Sequence, residues 1–145
     1  MLPDVSAYFI AALVAFSGAQ GIKYYLSVKK NGVKNAGNWY QSGNMPSAHT
    51  ATMVALTTVV AVRDGTESGL FAVTAVITFI TMYDSMMSRR AAGEQGLAIR
   101  KLLAKSPFSK DPLPHHALGH RPLEVLVGAV MGLSIGLIVA FLITK

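Results

Sequence analysis

The sequence predicts an all-α, polytopic membrane bundle of four transmembrane helices plus an interfacial helix, and three observations lead to this prediction. Hydrophobic residues make up 52% of the 145 residues and charged residues only 14%, against about 25% charged residues in an ordinary soluble domain. The mean hydropathy is +0.44. The apolar residues gather into four segments separated by polar or proline-rich connections, which indicates lipid as the surrounding solvent.

Each apolar segment has its own start or stop signal, and together they form one domain, 1–145. The first begins in MLPDVSAYF, which lacks the basic region of a signal peptide, so we expect a retained helix. Arg63-Asp64-Gly65-Thr66 is a tight turn, which makes the second and third spans an antiparallel hairpin. The last opens at Pro122, a favoured first residue of a helix. The expected spans are 5–28, 46–62, 67–87 and 122–144.

With four spans, the loops 29–45 and 88–121 lie on the face opposite both termini. We call them the active-side loops, because the residues capable of catalysis lie on this face. The segment Ser85–Lys105, which overlaps the start of the second loop, is expected to form a helix at the membrane interface. Eleven of the 13 Lys and Arg residues fall on this face, the other two being Arg63 and Lys145. The positive-inside rule therefore predicts that the loops are cytoplasmic.

The residues capable of catalysis collect on the same face, at or near the ends of spans. His120 and Glu124 are four residues apart, so the carboxylate can orient the imidazole and make it a better nucleophile. Two imidazoles, one carboxylate and several cations are the groups that phosphoryl transfer through a phosphohistidine needs. Each alone could equally be a helix cap or a snorkelling interfacial residue. The residues in question are Lys23, His49, Asp84, Arg89, Arg90, His120 and Glu124.

Glu124 also begins a series of small residues at four-residue spacing, Gly128, Gly132, Gly136 and Ala140. Repeated G-x-x-x-G spacing lets another helix approach closely. The first turns of the series place Glu124 on the packed side of the helix.

Three ordered motifs give the chain a family resemblance. Pro46-Ser47-Ala48-His49 resembles the P-S-G-H motif of the type-2 phosphatidic acid phosphatase superfamily, which includes vanadium haloperoxidases and bacterial acid phosphatases. His120-Arg121-Pro122-Leu123-Glu124 resembles the H-x-x-x-D end of its third motif. Tyr83-Asp84 followed by Arg89-Arg90-Ala91-Ala92-Gly93-Glu94-Gln95 adds a likeness to the small, divergent branch of that superfamily.

The resemblance implies a role for each matching residue. His120 would be the nucleophile that attacks phosphorus, and Glu124, in the family's aspartate position, would orient it. His49 would protonate the leaving oxygen, and Ser47 would hold phosphate oxygens together with nearby backbone N–H groups. Lys23 and Lys30 have the spacing of the superfamily's K-x-x-x-x-x-x-R-P motif, in which they would bind phosphate.

The sequence departs from the superfamily pattern at several positions. Lys30-Asn31 replaces Arg-Pro, Ala48 replaces glycine, and the expected Ser-Arg pair would fall at Leu113-Pro114. We expect Arg89 or Arg90 to replace that missing arginine. Asp84 has no role in the superfamily mechanism, so it either pairs with an arginine or helps to bind a metal.

The leading function predicted is a lipid phosphatase acting on a phosphomonoester or diphosphate of the phosphatidic acid, phosphatidylglycerophosphate or isoprenyl phosphate class. The alternative is a non-catalytic protein that binds or transports anionic lipids and retains the phosphate site. The four spans, fewer than the six-helix core of the superfamily, raise the further alternative of a homo-oligomer.

The remaining partners and cofactors follow from composition. The chain has no cysteine, which excludes disulfides and thiolate metal sites, and no cofactor or metal is expected. A weaker alternative is a metal site at Asp111, His115, His116 and His120. No basic run interleaved with aromatic residues appears, so nucleic acid is not an expected partner.

Overall fold

The structure, a computed structural model, describes residues 6–31, 45–104 and 119–143, apart from the side chains of residues 30 and 31. All regular structure in these residues is helical. The five helices are α1 (Ser6–Asn31), α2 (Ala48–Arg63), α3 (Gly69–Met86), α4 (Ser88–Leu103) and α5 (Pro122–Ile143).

Within the described residues, three stretches are long and apolar enough to cross a membrane: Ser6–Lys29, Gly69–Leu103 and Pro122–Ile143. The helix α2, with 16 residues, is shorter but also apolar, and a helix of that length spans about 24 Å. The first part of the predicted loop 88–121 is helical, and Met87 alone separates α4 from the end of α3. The helix predicted over Ser85–Lys105 is interrupted at Met87, so that its described part forms the end of α3 and the whole of α4, while Lys105 lies outside the described residues.

The centre of the bundle is α2, which packs against α1, α3 and α5. Its contact with α5 is parallel and very close. A Cβ atom added at Gly128 would lie 2.6 Å from the Ser47 oxygen, and one at Gly132 would lie 2.4 Å from the Ala51 oxygen. Each step of four residues along α5 is matched by four along α2, so the predicted packing role of the glycine series is confirmed.

The first helix runs antiparallel to α2, as the hydrogen bond from the Tyr8 hydroxyl to Asp64 Oδ2 (2.7 Å) shows. Its buried face is a second series of small residues at four-residue spacing, and all of them have no exposed surface. These residues are Ala7, Ala11, Ala15 and Ala19. Small side chains on α1, α2 and α5 therefore bring three helix backbones together.

The third helix lies on the outside of this three-helix core and forms an antiparallel hairpin with α2. Thr57 and Thr78 share a hydrogen bond of 2.8 Å between their hydroxyls. The turn contains Gly65 at φ +84°, a backbone conformation that glycine adopts without strain. Most apolar side chains of α3 are exposed, among them Phe79 at 70%, which is the surface expected of a helix that faces lipid.

Candidate active site

The predicted histidine–carboxylate pair is present at the start of α5. His120 Nδ1 lies 2.9 Å from Glu124 Oε2, with side-chain exposures of only 4% and 14%. The same carboxylate oxygen accepts the backbone N–H of Arg121 at 3.2 Å. Because an ionised carboxylate can only accept hydrogen bonds, Nδ1 carries the ring proton and Nε2 keeps the lone pair that a nucleophile requires.

Backbone hydrogen bonds tie this pair to two other helices. The N–H of His120 donates to the carbonyl of Ser85 in the last turn of α3 (3.0 Å). The N–H of Ser47 donates to the carbonyl of Glu124 (3.1 Å). The imidazole is therefore positioned by α2, α3 and α5 together.

Burial changes the acidity of the imidazole. Burial lowers the pKa of His120 below its ordinary value, and the positive charge of Lys23 acts in the same direction. The hydrogen bond that the His120 ring donates to Glu124 raises the pKa but does not outweigh burial. The neutral form of His120 therefore persists to lower pH than in a free histidine.

The other predicted histidine lies on the first turn of α2. His49 is exposed, and it lies close enough to His120, Lys23 and Arg89 to interact with their charges. Its neighbour Ser47 is fully buried, and the Ser47 hydroxyl caps α2 by accepting from the Thr50 N–H (3.4 Å) and hydroxyl (3.0 Å). The predicted role of Ser47 in phosphate binding stays a prediction.

A buried cation from α1 completes the cluster. Lys23 is only 6% exposed. The charge of Glu124 acts on Lys23, and the charge of Lys23 acts on His120. Lys23 continues the Ala7–Ala19 series by one more step of four residues, which is why its side chain enters the helix interface. A buried ammonium group needs a counter-charge, and Glu124 supplies one.

Of the two candidate arginines, Arg89 is the one near the histidines. Its Nε lies 2.8 Å from Asp84 Oδ2, and its charge acts on both His49 and His120. Arg90 instead pairs with Glu94 (3.1 Å) and lines a separate pocket between α3, α4 and the start of α5. Asp84 therefore holds Arg89 across the α3–α4 junction, the first of its two predicted roles.

Several predicted residues lie outside the described part of the chain. The Lys30 side chain, Asp111, His115, His116 and the Leu113-Pro114 position belong to this group. Within residues 6–31, 45–104 and 119–143, no cluster of three or more His, Asp or Glu residues could hold a metal ion. The alternative of a metal site at 111–120 stays untested.

Two contributors were not predicted from the sequence. The Ser85 carbonyl anchors His120, and Gly119 touches the backbone of α4, where an added Cβ would lie 2.4 Å from the Arg90 nitrogen. Backbone contacts of this kind leave no sequence signal. The four-residue alanine spacing that places Lys23 in the helix interface is, in contrast, visible in the sequence, although it was not used to predict the site.

These features define a helical membrane protein with a histidine–carboxylate pair, a buried lysine and an exposed arginine at one end of the bundle. Comparison with known proteins agrees, because the model of the Divergent PAP2 family matches residues 5–135. The chain belongs to this family.

One curated relative is the "Uncharacterized membrane protein YuiD" of Bacillus subtilis (strain 168), with 39% identity over 69% of this chain and 72% of the relative. No solved structure matches the chain.

Proposed function

We propose that the protein is a membrane-embedded lipid phosphatase that hydrolyses a phosphomonoester or diphosphate through a phosphohistidine. The substrate belongs to the phosphatidic acid, phosphatidylglycerophosphate or isoprenyl phosphate class. The observation that carries the proposal is the buried pairing of His120 with Glu124 beside two cations, Lys23 and Arg89. Family membership supports the same chemistry.

The proposed reaction has two steps. Nε2 of His120 attacks phosphorus, a P–N bond forms, and the P–O bond to the lipid breaks while His49 gives a proton to the leaving oxygen. Water then attacks phosphorus, its proton passes to His49, and the P–N bond breaks to release inorganic phosphate. Glu124 stabilises the positive charge that develops on His120 in the first step.

The cations match the charge of the transition state. Lys23 and Arg89 approach the histidines from α1 and α4, where they would neutralise the equatorial phosphate oxygens. The Asp84 carboxylate keeps the Arg89 guanidinium in place. Ser47, Lys30 and Arg90 remain proposed ligands of the same phosphate or of the lipid head group.

The proposed membrane arrangement has four spans, α1, α2, α3 and α5, with α4 at the interface and the site on the cytoplasmic face. The Tyr8–Asp64 end of the bundle would then lie on the other face. A hydrophobic bundle with a cationic end suits a substrate with apolar tails and an anionic head.

Phosphate release from a panel of phospholipids and isoprenyl phosphates tests the proposal. The substitutions His120→Ala and His49→Ala should abolish or strongly reduce release, while the helical circular dichroism spectrum stays that of the wild type. Unchanged turnover by His120→Ala would exclude the phosphohistidine mechanism.

The second candidate is a non-catalytic protein that binds or transports anionic lipids. Two departures favour it, Lys30-Asn31 in place of Arg-Pro and Leu113-Pro114 in place of the Ser-Arg pair. This candidate predicts saturable binding of phosphorylated lipid to the wild type, with no phosphate released from any member of the panel.

A further inference from the structure

The helix α4 has an apolar side that the described part of the chain leaves uncovered. With 3.6 residues per turn, Ala91, Ala98, Ile99 and Leu102 fall on one side of α4, with the polar Gln95 among them. Ile99 is 48% exposed and Leu102 73%. We call the four apolar residues the apolar stripe.

The rest of α4 also makes little contact with the bundle. Among the described helices α4 packs only against α3, and Gly93 is its one buried residue in these ranges. The side of α4 that includes Gly93 therefore faces the protein, and the apolar stripe faces away from it. An exposed amphipathic helix that adjoins a membrane span has lipid as its natural neighbour.

The charge of α4 specifies which lipid surface fits. The helix carries Arg89, Arg90, Arg100 and Lys101 against one acidic residue, Glu94. Arg90 and Lys101 lie on the flank of the apolar stripe, about 100–120° around the helix from its centre. A basic amphipathic helix of this kind complements anionic head groups.

The start of α4 is in direct contact with the proposed active site. An added Cβ at Gly119 would lie 2.8 Å from the Arg90 Cα and 2.9 Å from the Arg89 carbonyl carbon, so the residue before His120 rests on the first turn of α4. The Asp84–Arg89 pair bridges the α3–α4 junction. A change in the position of α4 therefore moves both Arg89 and the backbone that carries His120.

We propose that α4 binds the surface of an anionic bilayer through the apolar stripe, and that this contact holds Arg89 and His120 in place, so that phosphate binding depends on anionic lipid. The membrane contact is independent of catalysis. The coupling rests on the proposed phosphate site, and its test needs no turnover.

The absence of cysteine from the chain makes the membrane contact measurable by single-site spin labelling. Leu102→Cys and Lys101→Cys variants carry the label, and the full chain is placed in phosphatidylcholine bilayers with or without phosphatidylglycerol. With phosphatidylglycerol, the label at Leu102 should be relaxed mainly by oxygen and the label at Lys101 mainly by a water-soluble nickel complex.

Two results would overturn the membrane contact, and a third would overturn its requirement for anionic lipid. Equal relaxation of both labels by the nickel complex would show that the apolar stripe is in water. Shielding of the Leu102 label from both agents would show that protein covers it, such as a second copy of the chain. The same pattern without phosphatidylglycerol would remove the requirement for anionic lipid.

The coupling is tested by binding of orthovanadate, a phosphate analogue, to the chain in nanodiscs. The double substitution Lys101→Gln, Leu102→Ser is compared with Leu142→Ser, which is 74% exposed at the far end of α5. Loss of one lysine near an anionic surface weakens the contact about fivefold. Vanadate should therefore bind the double variant several-fold more weakly, and bind Leu142→Ser like the wild type.

Equal vanadate affinity of the double variant and the wild type would overturn the coupling, as would a lack of vanadate binding by the wild type in anionic nanodiscs. Tight vanadate binding without release of phosphate from any lipid would instead contradict the proposed phosphatase activity and leave the coupling supported.

Discussion

Replacing Glu124 by glutamine removes the charge that orients His120 and keeps the shape of the side chain. One oxygen, Oε2, accepts both the His120 ring N–H and the Arg121 backbone N–H, so the amide oxygen of glutamine can keep both bonds. What is lost is charge assistance, since a hydrogen bond to a charged group contributes about 1.5–3 kcal/mol and a neutral one about 0.5–1.5 kcal/mol. A difference of about 1–2 kcal/mol corresponds to a 5- to 30-fold fall in the rate of phosphate release.

The pH dependence of the same variant separates an electrostatic role from a structural one. Only neutral His120 can attack phosphorus, and burial lowers the pKa of His120, so wild-type activity should fall only at pH values below the ordinary histidine range. The hydrogen bond and the negative charge of Glu124 both raise this pKa. Glu124→Gln should therefore move the acidic limb of the pH profile to still lower pH.

The assay is the initial rate of phosphate release from detergent-solubilised substrate between pH 4 and pH 8, with Glu67→Gln as the matched control. Glu67 is exposed in the turn between α2 and α3, at the other end of the bundle. A Glu124→Gln rate within twofold of the wild type, with an unmoved acidic limb, would refute the orienting role.

Three further substitutions test the packing and the cations. Gly132→Ala should lower the free energy of unfolding by about 1–3 kcal/mol because the new methyl group overlaps a backbone oxygen, whereas Gly21→Ala, with no atom within 4 Å, should keep or raise the midpoint of thermal unfolding. Asp84→Asn should raise KM about fivefold or less, because exposed ion pairs contribute up to about 1 kcal/mol; an effect as large as that of Arg89→Gln would show that Asp84 itself touches substrate. Lys23→Met should reduce phosphate release more than tenfold and also lower the midpoint of thermal unfolding, since it leaves the Glu124 carboxylate without its counter-charge; a lower midpoint with phosphate release within twofold of the wild type would indicate a structural lysine.

The sequence predicted best those contacts that are local along the chain. His120 and Glu124 are separated by one helical turn, so their pairing follows from spacing alone. The choice between Arg89 and Arg90 could not be predicted, because it depends on how α4 leaves α3 at Met87. Ser47 shows the same limit, since its depth in the bundle depends on the contact of its backbone with Gly128.

The helix packing and the proposed catalytic site have one physical origin. Lys23 is the next member of the alanine series of α1, and Glu124 is the first member of the glycine series of α5. Because α1 is antiparallel to α5, the charged ends of the two series meet at the same end of the bundle, where the charge of Glu124 acts on Lys23. The small residues let the helices pack closely, and this close packing buries the charged groups of Lys23 and Glu124. The strength of the electrostatic interactions at His120 therefore depends on how tightly the glycine and alanine faces pack, because a looser bundle would admit water and screen them.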